Sequence, residues 1–195
     1  MKILLTGFKP FNKDKVNPSL EVVKSFDDNY NNNQVYKLEL DVEYTNDGNK
    51  VINKIKEVNP DLVLMIGLAG GRKNVTLEYM GVNVDSATIP DNKGEEIIFN
   101  EIVKDGPLSY KTNIDTVSLY NKLKDRRFAI SYHAGTYVCN DIYYRTLDYI
   151  YRNNLSIKCG FVHLPFLVEQ VSNDKYPSME LEEMKGLIES IIDNV

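Results

Sequence analysis

Short apolar runs that end at glycine or proline alternate along this chain with segments whose apolar residues recur every three or four positions. Lys2–Thr6 is one such run and stops at Gly7. A continuous apolar run of that length suits a parallel strand buried on both faces. Asn17-Pro18 reads as a helix N-cap followed by proline at the first helical position, opening a helix to about Phe26. The Asp- and Asn-rich stretch from Asp27 to Asn33 predicts a loop, and Val35–Leu40 a second strand. Over Thr45–Val58 the residues Val51, Ile55 and Val58 fall on one helical face. Asn59-Pro60 stops that helix, because the residue before proline avoids helical backbone angles.

Asp61–Gly67 is the strongest buried-strand signal, and Gly70-Gly71 then turns the backbone. Residues 75–87 have β-type composition, Pro90–Gly94 is a turn, and residues 95–113 predict a long loop with a short strand. Ile114, Val117, Tyr120 and Leu123 mark a helix, and Arg127–Ser131 a short strand. Residues 136–152 predict a helix with Val138, Ile142 and Leu147 inward, followed by a strand over Cys159–Leu164 that Pro165 ends. A final helix from near Ser178 buries Leu181, Met184, Leu187 or Ile188, and Ile191. Strands alternating with helices predict an α/β fold: a mixed, mostly parallel sheet with helices on both faces, an α/β/α sandwich. No repeat, low-complexity linker or charge block marks a boundary, so residues 1–195 read as a single domain. Open α/β sheets bind ligands beyond the carboxyl ends of their strands. That rule gathers Gly7-Phe8, Gly67–Arg72, Ser131–Gly135 and His163–Pro165 around the candidate site.

Composition narrows the classes of function. A chain of 195 residues buries roughly 70% of its unfolded surface and needs no disulfide staples. With 23 Lys+Arg against 28 Asp+Glu, a net charge of −5, it has no basic stripe to displace counterions from nucleic acid. No apolar run approaches the ~18 residues that span a bilayer, and the first run stops at Thr6-Gly7, too early for a signal-peptide core. Two cysteines in a chain this long fit a reducing compartment. The expectation is a soluble cytoplasmic protein with neither nucleic-acid nor membrane partner.

The soft side chains are Cys139, Cys159, His133 and His163, all between residues 133 and 163. Ser131–Asn140 reads as strand, glycine turn and helix start, with Cys139 in the first helical turn. The partial positive charge there favours thiolate, and a nearby imidazole lowers the thiol pKa further and serves as base and acid. His163, near the end of a strand, is placed to do so if a third group fixes its tautomer. By pattern alone, Cys139 as a small buried hydrophobe and His163 as a core histidine stay open. Cys159 opens an apolar strand and reads as an inert buried thiol. A zinc site is disfavoured: Cys159 and His163, four strand residues apart, stand ~13 Å from each other. Gly67–Arg72 is neither a P-loop nor a dinucleotide fingerprint, and there is no Gly-x-Ser-x-Gly elbow, so no cofactor and no metal is expected.

Several ordered stretches resemble the pyroglutamyl peptidase I (pyrrolidone-carboxylate peptidase) family. They are Leu5-Thr-Gly-Phe-Lys-Pro-Phe11, Asn17-Pro-Ser19, Gly67-Leu-Ala-Gly-Gly-Arg72, Thr76-Leu-Glu78, Val82-Asn-Val84, Ile89–Gly94, Ser131–Asn140 and Gly160–Gln170. The resemblance implies a cysteine exopeptidase that removes N-terminal pyroglutamate (5-oxoproline) from peptides through a thioester. It implies a triad of Cys139, His163 and Glu78, with Phe8 and Phe11 lining the pocket for the pyrrolidone ring. Leu68 lies on the substrate side, where many members carry Gln. Thr88 stands where members commonly have an arginine thought to stabilise the oxyanion, and His133 stands in place of a small polar residue. Thr88 and His133 therefore mark the candidate oxyanion region, with His133 able to supply part of the missing positive charge. Asp141 replaces a frequent histidine. The resemblance also implies a homodimer or homotetramer. A second reading is a diverged relative that binds pyroglutamyl-type ligands without efficient turnover.

Overall fold

The buried apolar runs become the central strands of one eight-stranded sheet in a computed structural model that describes residues 1–12, 14–171 and 175–195. In chain order the first half contains β1 (Lys2–Phe8), α1 (Pro18–Ser25), β2 (Asn29–Tyr30), β3 (Asn33–Leu40), α2 (Asn46–Val58), β4 (Leu62–Leu68) and β5 (Val75–Val82). The second half contains β6 (Ser109–Lys111), α3 (Thr116–Leu123), β7 (Phe128–His133), α4 (Val138–Arg152), β8 (Lys158–Leu164), β9 (Phe166–Leu167), β10 (Ser178–Met179) and α5 (Leu181–Asn194). The sheet runs β2-β3-β1-β4-β8-β5-β6, with β7 paired to β5. Strands β3, β1, β4 and β8 are mutually parallel. β5 runs antiparallel to β8 and carries β7 parallel to itself. The sheet is mixed and mostly parallel, as the pattern predicts.

Side chains alternate across a strand, and this sorts the core into two layers. Ile3, Leu5, Leu64, Ile66, Leu77 and Val162 face α1, α3 and α5. Leu4, Val63, Met65 and Phe161 face α2 and α4. The same parity places Gly67, Glu78 and His163 on the α2/α4 side. The fold thereby selects, from four strand ends, the face on which chemistry can assemble.

The helix starts follow local chemistry. Asn17 caps α1 by accepting from Ser19 N, and Ser19 Oγ in turn accepts from Phe8 N at 2.9 Å, which ties the end of β1 to the helix. A Cβ at Gly7 would lie 2.6 Å from Ser19 O, so only glycine allows this approach. Boundaries differ from the pattern where side chains intervene. β5 ends at Val82, not 87, because the Asn83 amide turns to the backbone of Val103 and Gly106. α3 starts after Asp115, whose carboxylate accepts from Ser118 N. α5 starts at Leu181, not Ser178, because Ser178–Met179 pairs with β9. The Asp27–Asn33 loop contains β2, a short edge strand paired to β3. Among the described residues no helix is long and apolar enough to cross a membrane.

Candidate active site

Three strands and one helix converge at the carboxyl end of β8. His163 is the direct parallel partner of Gly67 on β4 and the antiparallel partner of Thr76 on β5. Glu78 lies two residues beyond Thr76, on the same face. Cys139 is the second residue of α4. The start of α4 is fastened to β5: the Asn140 amide accepts from Val82 N and donates to Val82 O and Val84 O, and Tyr143 Oη donates to Glu78 O at 3.0 Å. Gly81 permits this close seating, since a Cβ there would lie 3.1 Å from the Tyr144 backbone. Gly135, at φ 83°, turns the chain from β7 into the helix. Above β4, Cys139 Sγ sits 3.1 Å from the Cβ position that Gly67 leaves empty. Thiol and imidazole are thus held over neighbouring strands.

Glu78 is completely buried, and its Oε1 accepts a hydrogen bond from His163 Nδ1–H at 2.7 Å. This bond leaves Nε2 as the proton acceptor. Arg72 Nη1 donates to the same Oε1 at 2.6 Å and to Thr76 Oγ1 at 2.5 Å. Burial works to raise the Glu78 carboxyl, but the bond and charge of His163, aided by Ser131 and Arg72, leave it below the ordinary carboxylate value. Burial pushes His163 below its ordinary value against the pull of Glu78, and the Arg72 charge pushes the same way. The Cys139 thiol is pushed up to about 12 by burial and then by the Glu78 charge, with Arg72 and its own backbone N–H opposing. The expectation of a thiol lowered by the helix start is therefore corrected for the resting site: desolvation outweighs the helix terminus. Thiol and imidazole rest neutral, and no hydrogen bond joins Sγ to the His163 ring among the described residues.

A cavity of about 190 Å³ opens beside Sγ. Phe8, Phe11 and Leu68 line it together with Val42, Ile89 and Tyr137. Tyr137 packs on Phe11 and Tyr44, each with ring centroids 5.5 Å apart, and donates its hydroxyl to Pro90 O. Val42 takes φ 64°, a strained angle for a β-branched residue, with its carbonyl accepting from Asn92 N. A larger apolar groove of about 550 Å³ lies between α3 and β7, lined by Tyr79, Thr116, Val117, Tyr120 and Tyr132, but neither a cysteine nor a histidine borders it. Chemistry selects the smaller cavity.

The family model described as pyroglutamyl peptidase matches residues 1–193. The chain belongs to the pyroglutamyl peptidase family. It is 43% identical to pyrrolidone-carboxylate peptidase 1 of Caldanaerobacter subterraneus subsp. tengcongensis, over 98% of this chain and 96% of the relative. The solved structure of Bacillus amyloliquefaciens pyroglutamyl peptidase I superposes with a TM-score of 0.92 at 31% identity, covering 99% of this chain and 95% of that one. The pyrrolidone carboxyl peptidase of Thermococcus litoralis gives a TM-score of 0.92 at 35% identity, covering 98% and 91%. This pyroglutamyl peptidase family member therefore shares both sequence and fold with its relatives along essentially the whole chain.

In this family member, six of the residues singled out by sequence meet at one place: Cys139, His163, Glu78, Phe8, Phe11 and Leu68. Thr88 and His133 do not join them. Thr88 is exposed, and its neighbour Ile89 lines the cavity instead. His133 is exposed at the end of β7, where its Nδ1 accepts from Gly135 N at 3.1 Å, so its ring belongs to the turn. Arg72 and Tyr137 lie within stretches that carry the resemblance, yet sequence reasoning gave neither a role. The signal for Arg72 is its place after a glycine pair, six residues before the buried acid.

Asp141 belongs to a buried acidic pair. Asp141 Oδ1 accepts from Thr45 N and Oδ2 from Arg145 Nε, and the buried Asp85 lies beside it. Burial, and then the Asp141 charge, pushes the Asp85 carboxyl up to about 9 from an ordinary 3.8, with Arg145 opposing and Glu95 adding to the rise. Between those values the folded chain holds a proton that the unfolded chain releases. The stabilisation is full below the unfolded value and is lost as pH rises through the folded one. Asp85→Asn is expected to flatten the fall in melting temperature between pH 5 and pH 9, measured by thermal unfolding across buffers. Parallel curves for the two proteins would contradict this assignment.

Proposed function

We propose that Cys139, His163 and Glu78 hydrolyse the amide bond that follows an N-terminal pyroglutamyl residue. The observation that carries this reading is the cavity of about 190 Å³ with Cys139 in its wall and Phe8, Phe11 and Leu68 around it. An apolar pocket with a few polar groups suits a small neutral lactam, and its size leaves the following residue outside. Sγ attacks the carbonyl carbon as its proton passes to His163 Nε2. The thiolate forms during attack, since both groups rest neutral. The first helical turn of α4 presents free N–H groups, Cys139's own among them, toward the developing oxyanion. The C–N bond then breaks as Nε2 returns the proton to the leaving amine. Water, deprotonated by Nε2, attacks the thioester; the C–S bond breaks, and the proton returns to sulfur. Glu78 holds the imidazole throughout.

The test is chromophore release from a pyroglutamyl anilide compared with a prolyl anilide, which lacks the lactam carbonyl. Release from the first at least ~10²-fold faster is expected, since polar partners left empty strongly disfavour the analogue. Equal rates would reject pyroglutamyl selectivity, and no turnover of either by folded and reduced protein would reject this reading in favour of a ligand-binding relative. The same reading keeps a cytoplasmic location, supported by two free cysteines, and a homodimer or homotetramer as part of the proposal.

A further inference from the structure

We propose that Arg72 is a positioning residue: by sharing Glu78 Oε1 with His163, it holds the carboxylate in place and weakens its grip on the imidazole proton. This rests on the triad reading above. The geometry is asymmetric. Oε1 accepts from both His163 Nδ1–H at 2.7 Å and Arg72 Nη1 at 2.6 Å, while Oε2 is buried without a partner. Left to itself, a carboxylate so buried would draw close to the imidazole and hold its charged form strongly. A guanidinium on the same oxygen takes up part of that charge.

Arg72 is built to stay there. It closes a turn by donating its N–H to Ala69 O at 3.1 Å, with Gly71 at φ 90°. Gly70 lies flat against Phe166, where a Cβ would come within 2.4 Å of the ring. The second bond to Thr76 Oγ1 points the guanidinium along β5. The turn that follows β4 thus delivers a cation to the acid on β5, past the histidine on β8 between them.

Among the described residues the charged and titratable groups that face this unit include Tyr143 of α4, whose hydroxyl donates to Glu78 O. Glu78 comes from β5, Arg72 from the turn, Cys139 from α4, and Asp47 from the start of α2 acts on Cys139 at longer range. Ser131 on β7, the strand partner of Glu78, also favours its carboxylate form. Arg72 is the cation common to all three triad members: its charge opposes protonation of Glu78 and His163 and favours the Cys139 thiolate. A base that is free of its proton near neutral pH is what concerted deprotonation of a neutral thiol needs.

The experiment exploits the presence of only two histidines, His133 and His163. Imidazole resonances are titrated by NMR in the Cys139→Ala background, with His133→Asn used to assign the signals. Arg72→Gln is expected to raise the His163 midpoint by about one pH unit. Arg72→Lys keeps the charge without the planar fork and is expected to raise it less. In proteins with Cys139 intact, the acid limb of kcat/KM on a pyroglutamyl anilide should move upward in step. A uniform loss of rate with an unmoved midpoint, or a midpoint that falls in both variants, would overturn the proposal. Should Arg72→Gln not fold, the Lys variant decides: no rise in its midpoint overturns the proposal. Turnover persisting in Cys139→Ala would instead reject the triad reading, while the NMR midpoints would still report on Arg72.

Discussion

Cys139→Ala is expected to lower kcat on a pyroglutamyl anilide by roughly 10⁴-fold or more, because removing the nucleophile of a catalytic triad costs about as much as removing all three members. No other described residue can take over. Cys159 is the only other thiol; it lies fully buried on β8, where burial raises its pKa far above the ordinary thiol value. His133 faces solvent and is engaged with its own turn. The substitution removes a single heavy atom from a half-buried position at the cavity wall, so folding should change by no more than about 1 kcal/mol. Thermal unfolding of the variant separates lost chemistry from lost structure. Iodoacetamide should label Cys139 before Cys159 in the native protein, since only Cys139 borders a cavity. Labelling should be slow for a reactive cysteine, as the resting thiol keeps its proton. Measurable turnover by Cys139→Ala, or labelling of Cys159 first, would remove Cys139 from its role.

Gly67→Ala is expected to cut kcat by about 10²-fold while costing roughly 1–3 kcal/mol of stability. A Cβ there would stand 2.8 Å from Phe161 Cζ and 3.1 Å from Cys139 Sγ. One of the two must move. Phe161 has little room: it is fully buried, with its ring centroid 4.7 Å from that of His163 and 5.8 Å from that of Tyr143. A shift of Phe161 would be passed to the base, and a shift of Sγ would move the nucleophile directly. Either displacement breaks the alignment of thiol, imidazole and carbonyl. The measurement is kcat and KM on the anilide together with a denaturation curve. Full activity at reduced stability would mean that sulfur and ring relax without loss of alignment, and that Gly67 serves packing alone.

Much of this site was legible before the fold was known, for identifiable reasons. The α/β alternation, the N-cap at Asn17 and the placement of Cys139 in a helical first turn rest on local chemistry, and local chemistry survives in the structure. Glu78 was different. Nothing in its own segment separates an exposed acid on a strand from a buried one. Only the resemblance pointed to it, and its complete burial against His163 depends on the antiparallel pairing of β5 with β8, a contact between residues 85 positions apart. The thiol is the instructive miss. Its place at a helix start is real, but its pKa follows from how much protein surrounds it, which no run of neighbouring residues specifies.

The amino-acid sequence by itself determined the main strands and helices, their alternation and the place of Cys139 at a helix start, but not the inward face of α3, where Val117 and Tyr120 are exposed. The first three depend on periodicity, capping and backbone angles within a few residues. The tertiary structure alone decided that β8 would lie between β4 and β5, so that Gly67, His163 and Glu78 line up across three strands. It also decided that Arg72 and His163 would share one oxygen of Glu78, and that Thr88 and His133 would be exposed. The reason is physical: burial, shared hydrogen bonds and the space left by a missing Cβ belong to groups distant in sequence, and they exist only once the chain has closed around them.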